Sequence, residues 1–292
     1  KKTKILDAGM GQELLARGLI TKGTLWSATS LIDEKFNSLV VDTHLSSIRA
    51  GADVILTNTF TTRRVRMVQN QVGDLFQFAN QKACELAIKA RELSKKNILI
   101  AGSLPAQNDT YQADKRDQNI IEKDFFDQAS IINPYIDFFY LDVISSGREV
   151  EVALNAIDKL NKPVLVGLHL KKNGMLPSGE TITEIVKKYK NTKWLGVVSA
   201  CVSLEIIEQT VDELKSLDIP FGFKANLWAV EEPLPVHRFN TAGYNEIGKN
   251  PNITLGKREI TGKVFCQFAK KISKKGATIL GGCCETDSSH IK

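Results

Sequence analysis

The sequence predicts an α/β protein folded as a closed (β/α)8 TIM barrel, and three observations carry that prediction. Eight short, mostly continuous apolar runs recur along the chain, most of them followed by a segment of helical periodicity. That is the pattern of a parallel sheet covered on both sides. Eight such units in 292 residues fit a sheet closed on itself. The rival, an open doubly wound sheet, wants a glycine-rich phosphate turn after the first strand and an acidic residue at the end of the second. Gly9-Met10-Gly11 is only a fragment of such a turn, and the second run ends in Thr57-Asn58. No low-complexity linker interrupts the chain, so residues 1–292 are expected to form one domain.

Each element follows from local pattern. The first strand is expected over Lys4 to Ala8, ending in Asp7-Ala8-Gly9-Met10-Gly11, and a helix over about Asp33 to Ala50. Asp53 to Thr57 is the second strand, followed by a helix through about Gly73 to Ser94. Ile98 to Ala101 is the third, ending at Gly102-Ser103, with a polar loop from Gln107 to Arg116 and a helix near Glu122 to Ile132. Phe138 to Asp142 is the fourth, with its helix over Arg148 to Leu160, and Val164 to Leu168 is the fifth. The sixth ends at Cys201, the seventh spans Phe221 to Asn226, and the eighth ends at Cys283. The stretch from Ala229 to Asn252 carries Pro233, Pro235 and Pro251 and is long for a connection, which makes it a candidate lid or oligomer contact.

Composition excludes several classes. The chain is 42% hydrophobic and 25% charged, ordinary for a globular protein. No apolar run is long enough to cross a bilayer, and no signal peptide is expected. Five cysteines without regular spacing argue against a secreted disulfide scaffold and for a reducing cytoplasm. The net charge is +6, but the lysines are scattered over helical segments with no basic stripe interleaved with aromatics. That describes a solvated surface rather than a nucleic-acid face.

In a parallel barrel every strand C-terminus opens on one face, and that face carries the active site. Read together, the polar residues there are Asp7, Asn58, Ser103, Asp142, Cys201, Asn226 and the pair Cys283-Cys284. Vicinal cysteines are poor disulfide partners for each other. They suit one metal ion, with Gly281 and Gly282 expected to let the backbone bend so that both sulfurs face one point. Cys201 is the third thiol. Three thiolates leave one zinc position open, and a substrate thiol taken there would lose its proton and stay nucleophilic. The natural reaction is attack on an activated methyl group whose leaving group departs neutral. Cys84 and Cys266, each at helical spacing among apolar residues, are expected to be core cysteines.

These residues resemble the homocysteine S-methyltransferase family, zinc-dependent enzymes that include betaine–homocysteine methyltransferases. The resemblance spans essentially the whole chain and rests on Asp7 to Gly11, Leu25-Trp26-Ser27-Ala28, Ala50 to Asp53 running on to Thr57-Asn58-Thr59-Phe60, Ala101-Gly102-Ser103, and Gly281 to Cys284 with His290-Ile291. It implies that Cys201, Cys283 and Cys284 hold one Zn2+ per chain, with Fe2+ or Co2+ as alternatives. It implies that homocysteine lies near Asp7, Ala8, Gly9, Met10, Ser103 and Asp142. A cationic methyl donor is well recognised by aromatic faces. Trp26, Phe60, Tyr111 and Trp228, with Asn58 and Asn226, are its candidate contacts. Glycine betaine, S-methylmethionine, dimethylsulfoniopropionate or another sulfonium would fit.

The sequence departs from the family pattern at four places: Ala200 in place of asparagine, Asp142 in place of glutamate, Gln12 in place of threonine, and Glu285 in place of glycine. The shorter Asp142 keeps open another small thiol or selenol as acceptor. Ala200 keeps open a metal-binding relative without turnover.

Overall fold

A computed structural model describes residues 2–292. Its eight strands are β1 (Lys4–Ile5), β2 (Val54–Leu56), β3 (Leu99–Pro105), β4 (Phe138–Ile144), β5 (Val164–Leu168), β6 (Trp194–Val202), β7 (Phe221–Ala225) and β8 (Ile279–Gly282). They pair in parallel in the order β1-β8-β7-β6-β5-β4-β3-β2. Between β1 and β2 a single bridge forms among the described residues, Leu6 to Val54, beside an Asp53 N bond to the Ile5 carbonyl at 2.8 Å. Side chains complete that seam: Asp53 Oδ2 accepts from Ile5 N at 2.9 Å, and Asp7 Oδ2 accepts from Leu56 N at 2.7 Å. The expected barrel is therefore the observed one.

The period-2 alternation of the strands sorts the core into layers. In β4, Phe139 and Leu141 face the helices. Phe138 and Tyr140 face inward, where they meet Leu6, Val54, Leu56, Ala101, Leu165, Val198 and Ile279. This inner plug fills the barrel floor. Above it the same inward positions turn polar: Ser103, Asp142 and Lys224 are all buried there.

Several boundaries differ from expectation. β1 is shorter than expected, Lys4–Ile5 with Leu6 still bridging Val54, and the turn after it leads into a helix, Met10–Ala16, that the pattern did not reveal. β3 continues to Pro105 instead of ending at Ala101, paired residue for residue with β4. The helix expected from Glu122 begins at Gln118, where the Asp117 side chain accepts from Asn119 N. The helices expected from Asp33 and Gly73 each open with a 3-10 turn, Glu34–Phe36 and Gly73–Leu75.

One buried acid makes a pH-dependent contribution. Glu149 lies in helix Gly147–Ile157, and its Oε2 accepts from the N-cap Ser146 at 2.6 Å. Burial raises its pKa to about 7, against the lowering effect of the Ser146 bond. The folded state thus holds this proton more tightly than the unfolded chain. The contribution is complete below the unfolded value and is lost as pH rises towards 7. Since each unit is worth about 1.4 kcal/mol, Glu149→Gln is expected to stabilise the protein by about 3 kcal/mol at pH 8 and by little at pH 4.5. Urea melts at the two pH values check this.

Candidate functional site

The three cysteines meet at the barrel mouth. The sulfur atoms of Cys201, Cys283 and Cys284 all lie within 4.8 Å of one another. Cys201 and Cys284 are 3.8 Å apart. Cys201 reaches the group because it lies in β6 with φ of 54°, at an irregularity in the β6–β7 register between Ala200 and Val202. The bend after β8 is not made by the two glycines, neither of which has positive φ; the left-handed residue is Glu285, at 63°. Gly9 matters in a different way. A Cβ there would lie 2.1 Å from the Cys283 carbonyl oxygen, so the turn after β1 can approach the thiols only without a side chain.

Soft donors at this separation suit a thiophilic divalent ion. Burial pushes the Cys201 thiol up. Hydrogen bonds from Cys283, Cys284 and the Tyr111 hydroxyl outweigh burial and hold it well below the ordinary thiol range. Hydrogen bonding to that thiolate raises Cys283 and Cys284. A soft cation bound there would favour the thiolate form of all three. Around them, Tyr111 Oη lies 3.2 Å from Cys201 Sγ. Asn226 Nδ2 donates to the Cys201 carbonyl at 2.7 Å. Asn226 was expected at the donor subsite. It does not line the cavity, because its amide is committed to the Cys201 backbone and its Oδ1 to Trp228 N. Ala200 packs in the apolar cluster at the mouth, beside Cys201 and Trp228.

One cavity joins the remaining candidates. Asp7, Ala8, Gly9, Met10, Ser103 and Asp142 line it together with Trp26, Asn58, Phe60, Tyr111, Trp228 and the three cysteines. Asp142 accepts from Ser103 Oγ at 2.9 Å and makes no pair with Arg148, which instead donates to the Arg116 carbonyl. Burial, with the charge of Cys283, raises Asp142 to about 7. Asp7 does not cap a turn. Its Oδ1 pairs with Lys224 Nζ at 2.9 Å, both side chains buried. Burial alone would lower Lys224, and Asp7 reverses that and holds it charged. Lys224 was missed in the sequence, although a lone cation in the apolar run Phe221 to Ala225 was its signal.

Two of the departures explain each other. Gln12 Nε2 donates to Glu285 at 2.5 Å and to Asn250 at 2.9 Å. Gln12 Oε1 accepts from Trp26 Nε1 at 3.0 Å. Gly11 lies under the same indole, where a Cβ would come within 2.3 Å of the ring. The Gln12 amide thus ties Trp26 to the turns after β1 and β8 and to the stretch from Ala229 to Asn252. Val236, Phe239, Asn240 and Lys249 of that stretch line the cavity, so it forms part of its wall. His169, given no role in the sequence, packs its ring on Tyr111 at 4.7 Å and bonds the Ala200 carbonyl.

A (β/α)8 barrel with three thiols converging at its mouth defines a class of enzyme that gathers soft ligands at the strand ends. The chain belongs to the homocysteine S-methyltransferase family, whose model matches residues 4–292. It is 23% identical to homocysteine S-methyltransferase 2 of Saccharomyces cerevisiae, covering 100% of this chain and 93% of that protein. It is 24% identical to the rat S-methylmethionine–homocysteine S-methyltransferase BHMT2, covering 98% of this chain and 76% of that one. The metallated homocysteine methyltransferase MmuM of Escherichia coli superposes with a TM-score of 0.76 at 19% identity, covering 100% of this chain and 94% of that chain.

Proposed function

We propose that residues 1–292 act as one homocysteine-binding barrel that transfers a methyl group from a sulfonium or betaine donor to the thiol of homocysteine, forming methionine. The observation that carries this reading is the Cys201–Cys283–Cys284 group, facing a cavity whose other walls include two carboxylates and five aromatic rings. Zn2+ is the expected ion, Fe2+ and Co2+ the alternatives, and bound there it would supply acidification of the homocysteine thiol. The thiols serve only while reduced, which fits a cytoplasmic enzyme.

The chain's own residues do the rest. Asp142, with Oδ2 on Ser103, offers its carboxylate to the homocysteine ammonium, whose charge favours the ionised form. Asp7 shapes the same end from the turn after β1. Trp26, Phe60, Tyr111 and Trp228 surround the cationic centre of the donor and keep water away. The homocysteine sulfur attacks the methyl carbon as the old carbon–sulfur or carbon–nitrogen bond breaks. The electron pair of that bond stays with the leaving sulfide or amine, which departs neutral and needs no general acid.

Methionine formation by anaerobically purified, metal-replete protein, with homocysteine and a panel of betaine and sulfonium donors, tests the reading. Product from at least one donor is expected. Bound metal without product from any donor would refute it. Within the same assay, Gln12→Ala is expected to raise the donor KM about tenfold by releasing Trp26, and to leave the homocysteine KM unchanged.

A further inference from the structure

The cavity contains a charge that the donor's cationic centre does not explain. Arg63 is fully buried, 0% exposed, and lines the cavity together with Arg66 and Thr110. A guanidinium carries five N–H donors. Here Nη1 donates to the Ala106 carbonyl at 3.1 Å and Nη2 to Thr110 Oγ1 at 3.3 Å, while Nε has no partner. Among the described residues no carboxylate pairs with Arg63. Its neighbour Arg66 has one, Asp109 at 3.5 Å, and Asp109 is also bonded by His237 Nδ1 at 2.8 Å. Of the two buried guanidiniums, only Arg66 has a carboxylate partner, and that carboxylate is already engaged.

An unpaired buried charge is expensive, and proteins keep one where a ligand supplies its partner. Position gives the ligand's shape. Thr110 bonds Arg63, and the next residue, Tyr111, bonds the Cys201 sulfur. The Arg63 guanidinium lies 5.3 Å from the centre of the Phe60 ring, which forms a T-shaped pair with Trp26 at 6.4 Å between ring centres. The cationic end of the cavity and the aromatic end are thus adjacent, within reach of one small molecule.

We propose that Arg63, supported by Arg66, is the anion-binding group of the donor subsite. The donor it selects is a small zwitterion, with its methyl-bearing cation among the aromatic rings and its carboxylate on Arg63. This rests on the methyl-transfer reading above and narrows it: a donor without an anionic end would meet a buried like charge.

The experiment compares dimethylsulfoniopropionate with trimethylsulfonium, which has the same methyl-bearing cation and no carboxylate. Both are measured with metal-replete wild type and with Arg63→Gln and Arg63→Lys. A charge-assisted pair to a buried guanidinium is expected to favour the carboxylated donor about 10- to 100-fold in kcat/KM. Arg63→Gln removes that preference through the donor KM, Arg63→Lys restores part of it, and metal content and homocysteine KM stay unchanged. Propionate is expected to compete with the donor and not with homocysteine in the wild type, which tests the subsite without a variant. Equal use of the two donors by the wild type overturns the proposal. So does a preference that survives Arg63→Gln, or an effect confined to the homocysteine KM. If no donor is turned over, calorimetric titration of the wild type with the same two compounds still decides: tighter binding of the carboxylated one supports the Arg63 subsite while methyl transfer fails, and equal binding or none refutes the subsite.

Discussion

Cys283→Ser is expected to lower bound metal from about one ion per chain to a small fraction of that, and methyl transfer by at least about 10³-fold. The sulfur of Cys283 lies within 4.8 Å of both other thiols, and no histidine or carboxylate joins that group among the described residues. A serine hydroxyl does not ionise near neutral pH, so it offers a soft ion neither charge nor polarisability. Cys201→Ser is expected to do the same, and it also replaces the thiolate beside the Tyr111 hydroxyl with a neutral hydroxyl. Cys84→Ser is the informative control. Cys84 is buried in helix Phe76–Ser94, where burial pushes its thiol up to about 12. Its replacement is expected to cost stability and to leave metal content unchanged. Metal analysis of the three variants, with methionine formation alongside, reads all of this.

The second large effect is on folding. Lys224→Met is expected to destabilise the protein by about 3–5 kcal/mol, because it leaves the Asp7 carboxylate buried without its cation. Asp7 is also a structural joint: Oδ1 meets Lys224 on β7, and Oδ2 accepts from Leu56 N on β2, where the barrel closes with a single bridge. Adding Asp7→Asn to Lys224→Met is expected to recover part of the loss, since it removes the orphaned charge and keeps an acceptor for Leu56 N. Urea melts of the two single variants and the double variant give the coupling directly. Additive losses would mean that the pair is not coupled.

How much of this was legible in the sequence depends on what kind of signal each feature leaves. The barrel was, because buried parallel strands read as apolar runs and eight of them recur. The cysteine group was, because two vicinal thiols at one strand end and a third at another have to meet on the face where all strands end. The helix Met10–Ala16 was not: its seven residues, MGQELLA, are too few to show a helical period. Nor was the fate of Asn226, which stands at a strand end like the other candidates and turns its amide to the Cys201 backbone. Gln12 and Glu285 registered only as departures. Their hydrogen bond joins residues 273 apart in sequence, a contact that no local pattern carries. Arg63 follows Thr62 in a polar run that looks like an ordinary loop, and only the closed fold shows that it is buried.

Homocysteine is expected to join the three cysteines at one ion. Metal K-edge X-ray absorption of the metal-loaded protein, recorded before and after addition of homocysteine, measures the number of sulfur neighbours directly. About three sulfurs are expected before and about four after, with the fourth lost when homoserine replaces homocysteine. A sulfur count that does not change on adding homocysteine, or an ion with fewer than three sulfurs at the start, would contradict this coordination.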